Sequence, residues 1–279
     1  MTLDRARSVD ANRMDMLADA LASARVLDLG RPLVQGMPQS PNHPPFRMAL
    51  QRRHGDVVRP DGGSAASEMI VTGGHVGTHI DALCHVSHQG RLFGGVDAAD
   101  AQRGGRFRAL GVETVVPMLG RGVLLDVAGH LGVNCLEPGR PVTAADLQGC
   151  SAATSAKLRA GDVVFVRTGW GGHWEEATAF VGHESGVPGV DAGGAAWLAD
   201  HGARAVGGET IAFEAIPPGA GHRELPVHRI LLVERGVHII ETVNLDQLAA
   251  GEHFEFAIIL VPLPITGATG SPVRPLALV

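Results

Sequence analysis

The spacing of hydrophobic positions near the start of the chain predicts a helix. In residues 10–24, Met14, Leu17, Ala18 and Leu21 recur every three or four positions with charged residues between them. This spacing is typical of an amphipathic helix. We expect the helix to pack on the body of the protein or on a neighbouring subunit.

From Val26 onward the pattern changes to short runs of branched and aliphatic residues separated by glycine and proline, which predicts strands. Glycine supplies 38 of the 279 residues, about twice its ordinary usage, and so implies many tight turns. The predicted strands are residues 26–29, 68–72, 123–127, 163–167, 237–241 and 254–262.

Helix signals lie between the later strands. They are a capping box from Thr143 to Asp146, a helix capped by Asp191 that ends at Gly202, and a helix over residues 227–235 that ends at Gly236. The chain shows no internal repeat. These patterns predict a mixed α/β fold with a helical extension over residues 1–25 and one domain over residues 26–279.

Composition excludes several classes of function. The chain has 23 Lys and Arg against 29 Asp and Glu, a net charge of −6, without the positive field that binds nucleic acid or anionic membranes. No apolar stretch has the length of a membrane span, and charged residues occupy residues 1–25 where a signal peptide would be apolar. We expect a soluble, cytoplasmic protein with three free thiols.

The inventory of reactive side chains points to histidine or metal chemistry. Lys157 is the only lysine and stands outside any phosphate-binding motif, and tyrosine is missing, whereas histidine occurs 14 times. Schiff-base and phosphate-loop mechanisms therefore have almost no residues to use.

The most informative segment contains His75, Gly77, His79 and Asp81. In an extended chain these side chains project from one face, and we expect the missing side chain of Gly77 to leave room between the imidazoles. Two nitrogens and one oxygen are the ligand set of a catalytic zinc, manganese or iron site. A helix would also bring His75 near His79, but this glycine-rich segment is a poor helix former.

His85 stands six residues beyond His79, about 20 Å away along an extended strand. Only a turn after Asp81 can bring it to the same ion, where it would act as a general acid/base. For a single histidine, a hydrogen-bonded structural role is the better interpretation, but the cluster around Gly77 favours a metal. Cys84 is interpreted as a packed residue.

A second set of candidate ligands lies farther along the chain. His228 falls on a predicted helix and Glu241 on the strand behind it, and a turn at Gly236 can bring both toward one point. In the same segment, Glu234 and His238 are interpreted as solvated surface residues.

Residues 36–60 form a long segment rich in Pro, Gly and His, of the kind that carries binding residues. Phe46 in this segment and Phe93 beyond the motif are candidates for an apolar wall against an aromatic substrate. Packing in the core is the alternative role for both rings.

The motif H-x-G-T-H-x-D-x-x-x-H over residues 75–85 resembles the cyclase-like metal-dependent hydrolases, a family that includes isatin hydrolase and bacterial kynurenine formamidase. The resemblance implies a mixed β/β/α swivelling-type domain. It also implies a homodimer or homotetramer that acts on a small amide.

By the same resemblance, His75, His79 and Asp81 bind one divalent ion, manganese or zinc, and His85 is the catalytic acid/base. In the two-metal members Asp81 would bridge to a second ion held by His228 and Glu241. One or two ions per chain are therefore expected.

The expected reaction is hydrolysis of a cyclic amide or lactam such as isatin, with an aryl formamide as the alternative substrate. Leu83 stands where formamidases usually have proline, and residues 93–95 read Phe-Gly-Gly where they often have Tyr-Asn-Gly, which favours the isatin hydrolase side.

Two rival interpretations belong to other classes of protein. A non-haem Fe(II) oxygenase would hold iron with His79, Asp81 and His228 and would be built as a strand-rich jelly roll. A structural metal would be enclosed by four protein ligands, and its removal would unfold the chain.

Overall fold

A computed structural model describes residues 11–154 and 156–279. The α-helices are α1 Ala11–Ser23, α2 Ala98–Ala101, α3 Val127–His130, α4 Ala144–Ala153, α5 Ala177–Val181, α6 Ala192–Asp200, α7 Pro226–His228 and α8 Asp246–Ala250. Short 3₁₀ turns span Phe93–Gly95, Val112–Thr114 and Trp170–His173, and a π-helix, Arg229–Arg235, continues α7.

Thirteen strands are found in the described residues. They are β1 Val26–Asp28, β2 Arg47–Arg52, β3 Ser67–Val71, β4 His79–Asp81, β5 Met118–Asp126, β6 Pro141–Val142, β7 Val163–Arg167, β8 Gly189–Val190, β9 Ala205–Gly208, β10 His238–Glu241, β11 Glu255–Leu260, β12 Gly270–Pro272 and β13 Leu276–Leu278.

Nine strands form one mixed sheet in the order β1-β13-β11-β5-β7-β9-β10-β4-β12. The central strands β5, β7, β9 and β10 run parallel, and the strands beyond them pair antiparallel. Parallel strands covered on both faces read as continuous hydrophobic runs. The sequence Val-Val-Phe-Val of β7 is such a run, and all four of these residues are buried.

The sheet has a hydrophobic core on each face, because alternate residues of one strand point to opposite sides. Phe165 of β7 packs on one face with Leu124 and Ile240. Val164 and Val166 pack on the other face, against residues of α4, α6 and the π-helix. The predicted mixed α/β fold class is confirmed.

Each of the six predicted strands is observed, with boundary shifts of a few residues, as are the three predicted helices. Thr143 and Asp146 form a reciprocal capping box at the start of α4. The Asp191 side chain accepts a hydrogen bond from the Gly194 N–H. Gly236 ends the π-helix in the left-handed conformation, with φ of 68°.

The N-terminal helix α1 does not pack on the body of its own chain through the side chains that the structure describes. Met16 and Leu21 are exposed, at 66% and 46% of their surface. The side chains of Met14 and Leu17 and residue 10 lie outside the described part. Packing on a neighbouring subunit stays a prediction. Nowhere in residues 11–154 and 156–279 is a helix long and apolar enough to cross a membrane.

The sequence suggested that residues 36–60 are irregular throughout, but part of this segment is a strand. Strand β2 lies within them and pairs antiparallel with β3, and we call this pair the ribbon. Every residue of the ribbon is exposed, including Met48, Leu50, Met69 and Ile70. Cys84, by contrast, is buried in the core, as its interpretation as a packed residue required.

Candidate metal centre

The motif is held by strand β4, which lies between β10 and β12 in the sheet. His79 of β4 is paired with Glu241 of β10, and Asp81 is paired with Gly270 of β12. The expected extended conformation from residue 75 is wrong, because only residues 79–81 are strand and residues 74–78 form turns and bends. The turn, rather than strand alternation, brings His75 to the site.

Gly77 makes that turn possible. Its φ of +66° lies in the left-handed region that favours glycine, and a Cβ there would collide with the Leu33 side chain. The expectation that Gly77 leaves room between the two imidazoles is therefore wrong. The glycine is required by backbone conformation and by Leu33.

The chain turns again after Asp81, as a role for His85 requires. The His85 N–H donates a hydrogen bond to the Ala82 carbonyl. The ring of His85 stacks on that of His75 with 3.8 Å between centroids. The three histidines and the aspartate of the motif thus meet at one place.

His228 and Glu241 reach the same place from α7 and β10. His79 Nε2 lies 3.7 Å from Asp81 Oδ1 and 3.3 Å from Glu241 Oε2, and His228 Nε2 lies 3.7 Å from Asp81 Oδ2 and 3.3 Å from Glu241 Oε1. His75 Nδ1 is 2.7 Å from Asp81 Oδ1. We call these five residues the histidine cluster.

Two ligand groups share Asp81. In each group, ligand atoms of three residues lie within 4.8 Å of one another. The groups are His75 with His79 and Asp81, and Asp81 with His85 and His228. The two oxygens of Asp81 face different histidines, so one carboxylate can serve two adjacent ions.

The His228 ring is oriented by Glu214, a residue that sequence reasoning missed. Glu214 is buried, and its Oε1 lies 2.6 Å from His228 Nδ1 and accepts the His228 backbone N–H. The Val227 N–H donates to the other oxygen. A carboxylate on Nδ1 leaves Nε2 free to bind a metal. No local sequence signal distinguished Glu214 from other glutamates.

The other two imidazoles of the cluster also have an outer partner. His79 Nδ1 lies 2.8 Å from the Gly77 carbonyl, and His75 Nε2 lies 2.8 Å from Thr269 Oγ1. Within the described residues, neither ring nitrogen of His85 has a hydrogen-bond partner. His85 thus differs from the three imidazoles of the histidine cluster, each of which has an outer partner.

The cluster contains buried atoms that a bound cation would satisfy. His79 Nε2, Asp81 Oδ2 and Glu241 Oε1 have no hydrogen-bond partner among the described residues. When His79 is neutral, its Nδ1 donates to the Gly77 carbonyl and its Nε2 carries a lone pair. All three atoms are then electron-pair donors, and burying them unpaired is costly. The residues present therefore fit a divalent metal ion.

Electrostatics favour positive charge at this point. Burial lowers the pKa of His79 and His228, but the neighbouring carboxylates raise both pKa values by more. Burial raises the pKa of Asp81, whereas the charges of His85 and His75 lower it to a greater extent. Burial lowers the pKa of His85 to about 3, so this imidazole is neutral at physiological pH.

The cluster opens on a small cavity of about 30 Å³. Residues outside the predicted set also line it, among them His43, Ile211, Ala212, His222 and Leu225. His43 lies in the segment predicted to carry binding residues.

Neither Phe46 nor Phe93 lines this cavity. Phe46 is buried in an apolar cluster with Val76 and Ile211. The Phe93 ring packs against Gly236, where a Cβ would fall 2.5 Å from it. Their observed contacts are those of the core-packing alternative, and a role in contacting substrate stays a prediction.

His238 is not a solvated surface residue, because its Nδ1 lies 2.9 Å from the Asp81 carbonyl oxygen and the ring is half-buried. Glu234 is exposed, as expected. The jelly roll expected for an Fe(II) oxygenase is not observed, since the sheet has a parallel centre with helices packed on it.

Comparisons with known proteins agree with this geometry. The chain is 25% identical over 250 residues to kynurenine formamidase of Bacillus cereus, covering 89% of this chain and 94% of that protein. It is 28% identical over 223 residues to isatin hydrolase of Roseibium aggregatum, covering 78% and 77% of the two chains. A solved structure described as a novel cyclase superposes with a TM-score of 0.83 at 29% identity and covers 97% of this chain and 94% of its own.

The model of the Cyclase family, described as "Putative cyclase", matches residues 27–215. This range contains the whole motif and Glu214, whereas His228 and Glu241 lie beyond it and join the site through the fold. The match covers well over half of the chain, and the chain therefore belongs to the cyclase family.

Proposed function

We propose that this protein is a metal-dependent amidohydrolase that opens a cyclic amide or lactam of the isatin type. His75, His79 and Asp81 are the ligands of the first divalent ion, zinc or manganese. Asp81, His228 and Glu241 are the ligands of a second. Glu241 takes the place of His85 in that ligand group, because its Oε1 lies 3.3 Å from His228 Nε2. The observation that carries the proposal is a set of three buried electron-pair donors, His79 Nε2, Asp81 Oδ2 and Glu241 Oε1, that have no hydrogen-bond partner among the described residues.

A divalent ion at such a site supplies hydroxide at neutral pH and polarises the amide carbonyl. The remaining work falls to residues of the chain. His85 is neutral, and within the described residues its ring nitrogens have no protein partner, so the ring can accept a proton from water and pass it to the leaving nitrogen. Its stacking on His75 holds the ring at the cavity.

The kynurenine formamidase relatives support a second candidate substrate, an aryl formamide. Both substrates require the same proton transfer to nitrogen. They differ in what the site must hold, because a lactam keeps its leaving nitrogen tethered and a formamide releases an aromatic amine.

The test combines metal analysis with an assay. Purified protein is dialysed against a chelator, reloaded with zinc or manganese, and assayed with isatin, N-formylkynurenine and a simple cyclic imide. We expect one or two ions per chain and metal-dependent ring opening of isatin. Equal turnover by the chelated and reloaded forms would refute the proposal, and unfolding on chelation would favour a structural metal.

We also propose a homodimer or homotetramer. The exposed apolar side chains of the ribbon support this, because a two-stranded hairpin is only marginally stable in water unless another surface packs on it. Light scattering on the eluting protein would report two or four chains per particle, and a monomer would contradict it.

A further inference from the structure

The cavity beside the histidine cluster is too small for any cyclic amide. Its volume is about 30 Å³. One water molecule requires roughly 10–15 Å³ by the same kind of measure, so this space holds about two waters. A substrate ring must therefore be accommodated outside this cavity.

A second cavity of about 100 Å³ adjoins the first. Two residues, Ile211 and His222, line both cavities and so form the wall between them. We call this space the side cavity. Its other lining residues are Pro41, Asn42, Val181, Gly182, His183, Ile216 and Gly221.

The side cavity has the chemistry of an aromatic pocket. Val181, Ile211 and Ile216 belong to an apolar cluster that also contains Trp174 and Phe180. Polar side chains, Asn42, His183 and His222, stand around the apolar wall. Ligand pockets commonly combine such apolar walls with a few polar groups.

The wall is made of side chains on loops rather than of sheet. Asn42 Nδ2 lies 3.3 Å from His222 Nδ1, and this contact joins residues 40–45 to residues 217–225. The second loop begins with Pro217 and Pro218, and Gly219 and Gly221 in it have positive φ. Rotation of the His222 ring would move one of the two wall side chains without disturbing a strand.

We propose that the side cavity binds the aromatic ring of the substrate and that His222 is the movable wall between this ring and the metal centre. An apolar cavity of roughly 150 Å³ takes up benzene. The two cavities, of about 100 and about 30 Å³, together come close to that size, so the joined space suits a single aromatic ring. The assignment of the ring to an amide substrate rests on the proposed function. The binding of an aromatic ring does not.

Binding is tested first, with 2-aminobenzoate as the probe, because it carries an aromatic ring and the polar groups produced when a benzo-fused lactam opens. The probe is titrated calorimetrically into zinc-loaded protein. Val181→Phe and Ile216→Trp fill the side cavity, and Ile265→Trp is the matched control, because Ile265 is exposed and lies outside both cavity linings. Val181 is only half-buried, so its variant should fold even if Ile216→Trp does not.

We expect both filling variants to weaken probe binding by roughly tenfold or more, since a filled cavity excludes the ring. Zinc content and the affinity of Ile265→Trp should equal those of the parent. Parent-like binding by Val181→Phe, or no binding by the parent protein, would overturn the proposal.

The wall is tested with His222→Ala. A site whose binding-competent state is only partly populated loses apparent affinity by that fraction. Removing the ring should therefore strengthen probe binding while zinc content is unchanged, and unchanged or weaker binding would reject His222 as the wall. If the parent binds the probe in this cavity but hydrolyses neither formanilide nor isatin, the proposed function fails and the aromatic site stands.

Discussion

Two charged clusters, one buried and one partly buried, lie along the same sheet, and they have opposite chemistry. The histidine cluster balances two carboxylates with imidazoles. The second, which we call the arginine cluster, is Asp126, Arg167, Glu209 and Arg31. In it Arg167 donates to Asp126 at 3.0 Å, and its Nε lies 4.0 Å from Glu209 Oε1.

The unpartnered atoms of the two clusters differ in kind. In the arginine cluster they are two donors, Arg31 Nε and Arg167 Nε, and one acceptor, Glu209 Oε1. A buried water can bridge such a mixed set. In the histidine cluster the unpartnered atoms are all electron-pair donors, which a water with two protons cannot satisfy together.

The pKa directions express the same difference. Burial raises the pKa of Glu209 by more than Arg167 and the hydrogen bonds from Thr168 and Gly169 lower it. In the histidine cluster, burial raises the pKa of Glu241, but the neighbouring imidazoles of His228 and His79 lower it by more. Buried charge by itself therefore does not identify a metal site. A metal site is identified by unpaired buried atoms that all carry lone pairs.

The largest expected effect is the loss of metal on Asp81→Asn. Asp81 belongs to both ligand groups, so the neutral amide should lower metal affinity by more than about 100-fold, beyond the loss typical of an outer-sphere partner. Glu209→Gln is the control in the arginine cluster. It should keep its metal and lose about 1–3 kcal/mol of stability. Equal metal loss in both variants would contradict the assignment of the metal to the histidine cluster alone.

The next effect concerns His85, which is at the site but has no fixed outer partner. His85→Ala should keep its metal and lose about 10²- to 10⁴-fold in turnover, the usual contribution of a general acid/base. His79→Ala should lose both its metal and its turnover. Metal content is measured beside the rate, and full activity of the His85 variant would remove this residue from the mechanism.

A smaller effect is expected at Glu214. Glu214→Gln weakens the hydrogen bond that fixes His228, so the more weakly held ion should lose about 10- to 100-fold in affinity. Zinc titration against a competing chelator measures both ions. Glu234→Gln, at an exposed glutamate near the same helix, should titrate like the parent protein. Unchanged zinc affinity in Glu214→Gln would contradict the positioning role.

The smallest effect is a pair of opposite pH dependences in metal-free protein. A carboxyl whose pKa is lowered on folding contributes stability above its unfolded pKa of about 4 and loses it as pH falls. Asp81 is such a group. The pKa of Glu209 is raised on folding, so this group contributes stability below its unfolded pKa and loses that contribution as pH rises.

Unfolding by urea at pH values from about 3 to about 7, on either side of the unfolded-state pKa of about 4, separates the two signs. The stability difference between the parent and Asp81→Asn should grow as pH rises, and the difference between the parent and Glu209→Gln should shrink. If both stability differences change with pH in the same direction, the predicted opposite pH dependences of Asp81 and Glu209 are wrong.

Much of the fold was predictable because its signals are local. The hydrophobic run of β7 and the capping box at Thr143 depend on residues close in sequence, and both are observed. The turn at Gly77 was misjudged as strand, since alternating spacing does not reveal a positive φ. The ribbon was only half predicted, because β2 was assigned to an irregular segment.

The ligand chemistry follows from a short stretch of sequence: two histidines and an aspartate within seven residues restrict the site to metals that accept nitrogen and oxygen. The surroundings of these ligands depend on contacts between distant parts of the chain. Thr269 contacts His75 across 194 residues of chain, and Glu214 holds His228 after a turn that no spacing rule describes. Such contacts depend on the pairing of distant strands and on the packing of loops between them, and the size of the cavities depends on the same packing.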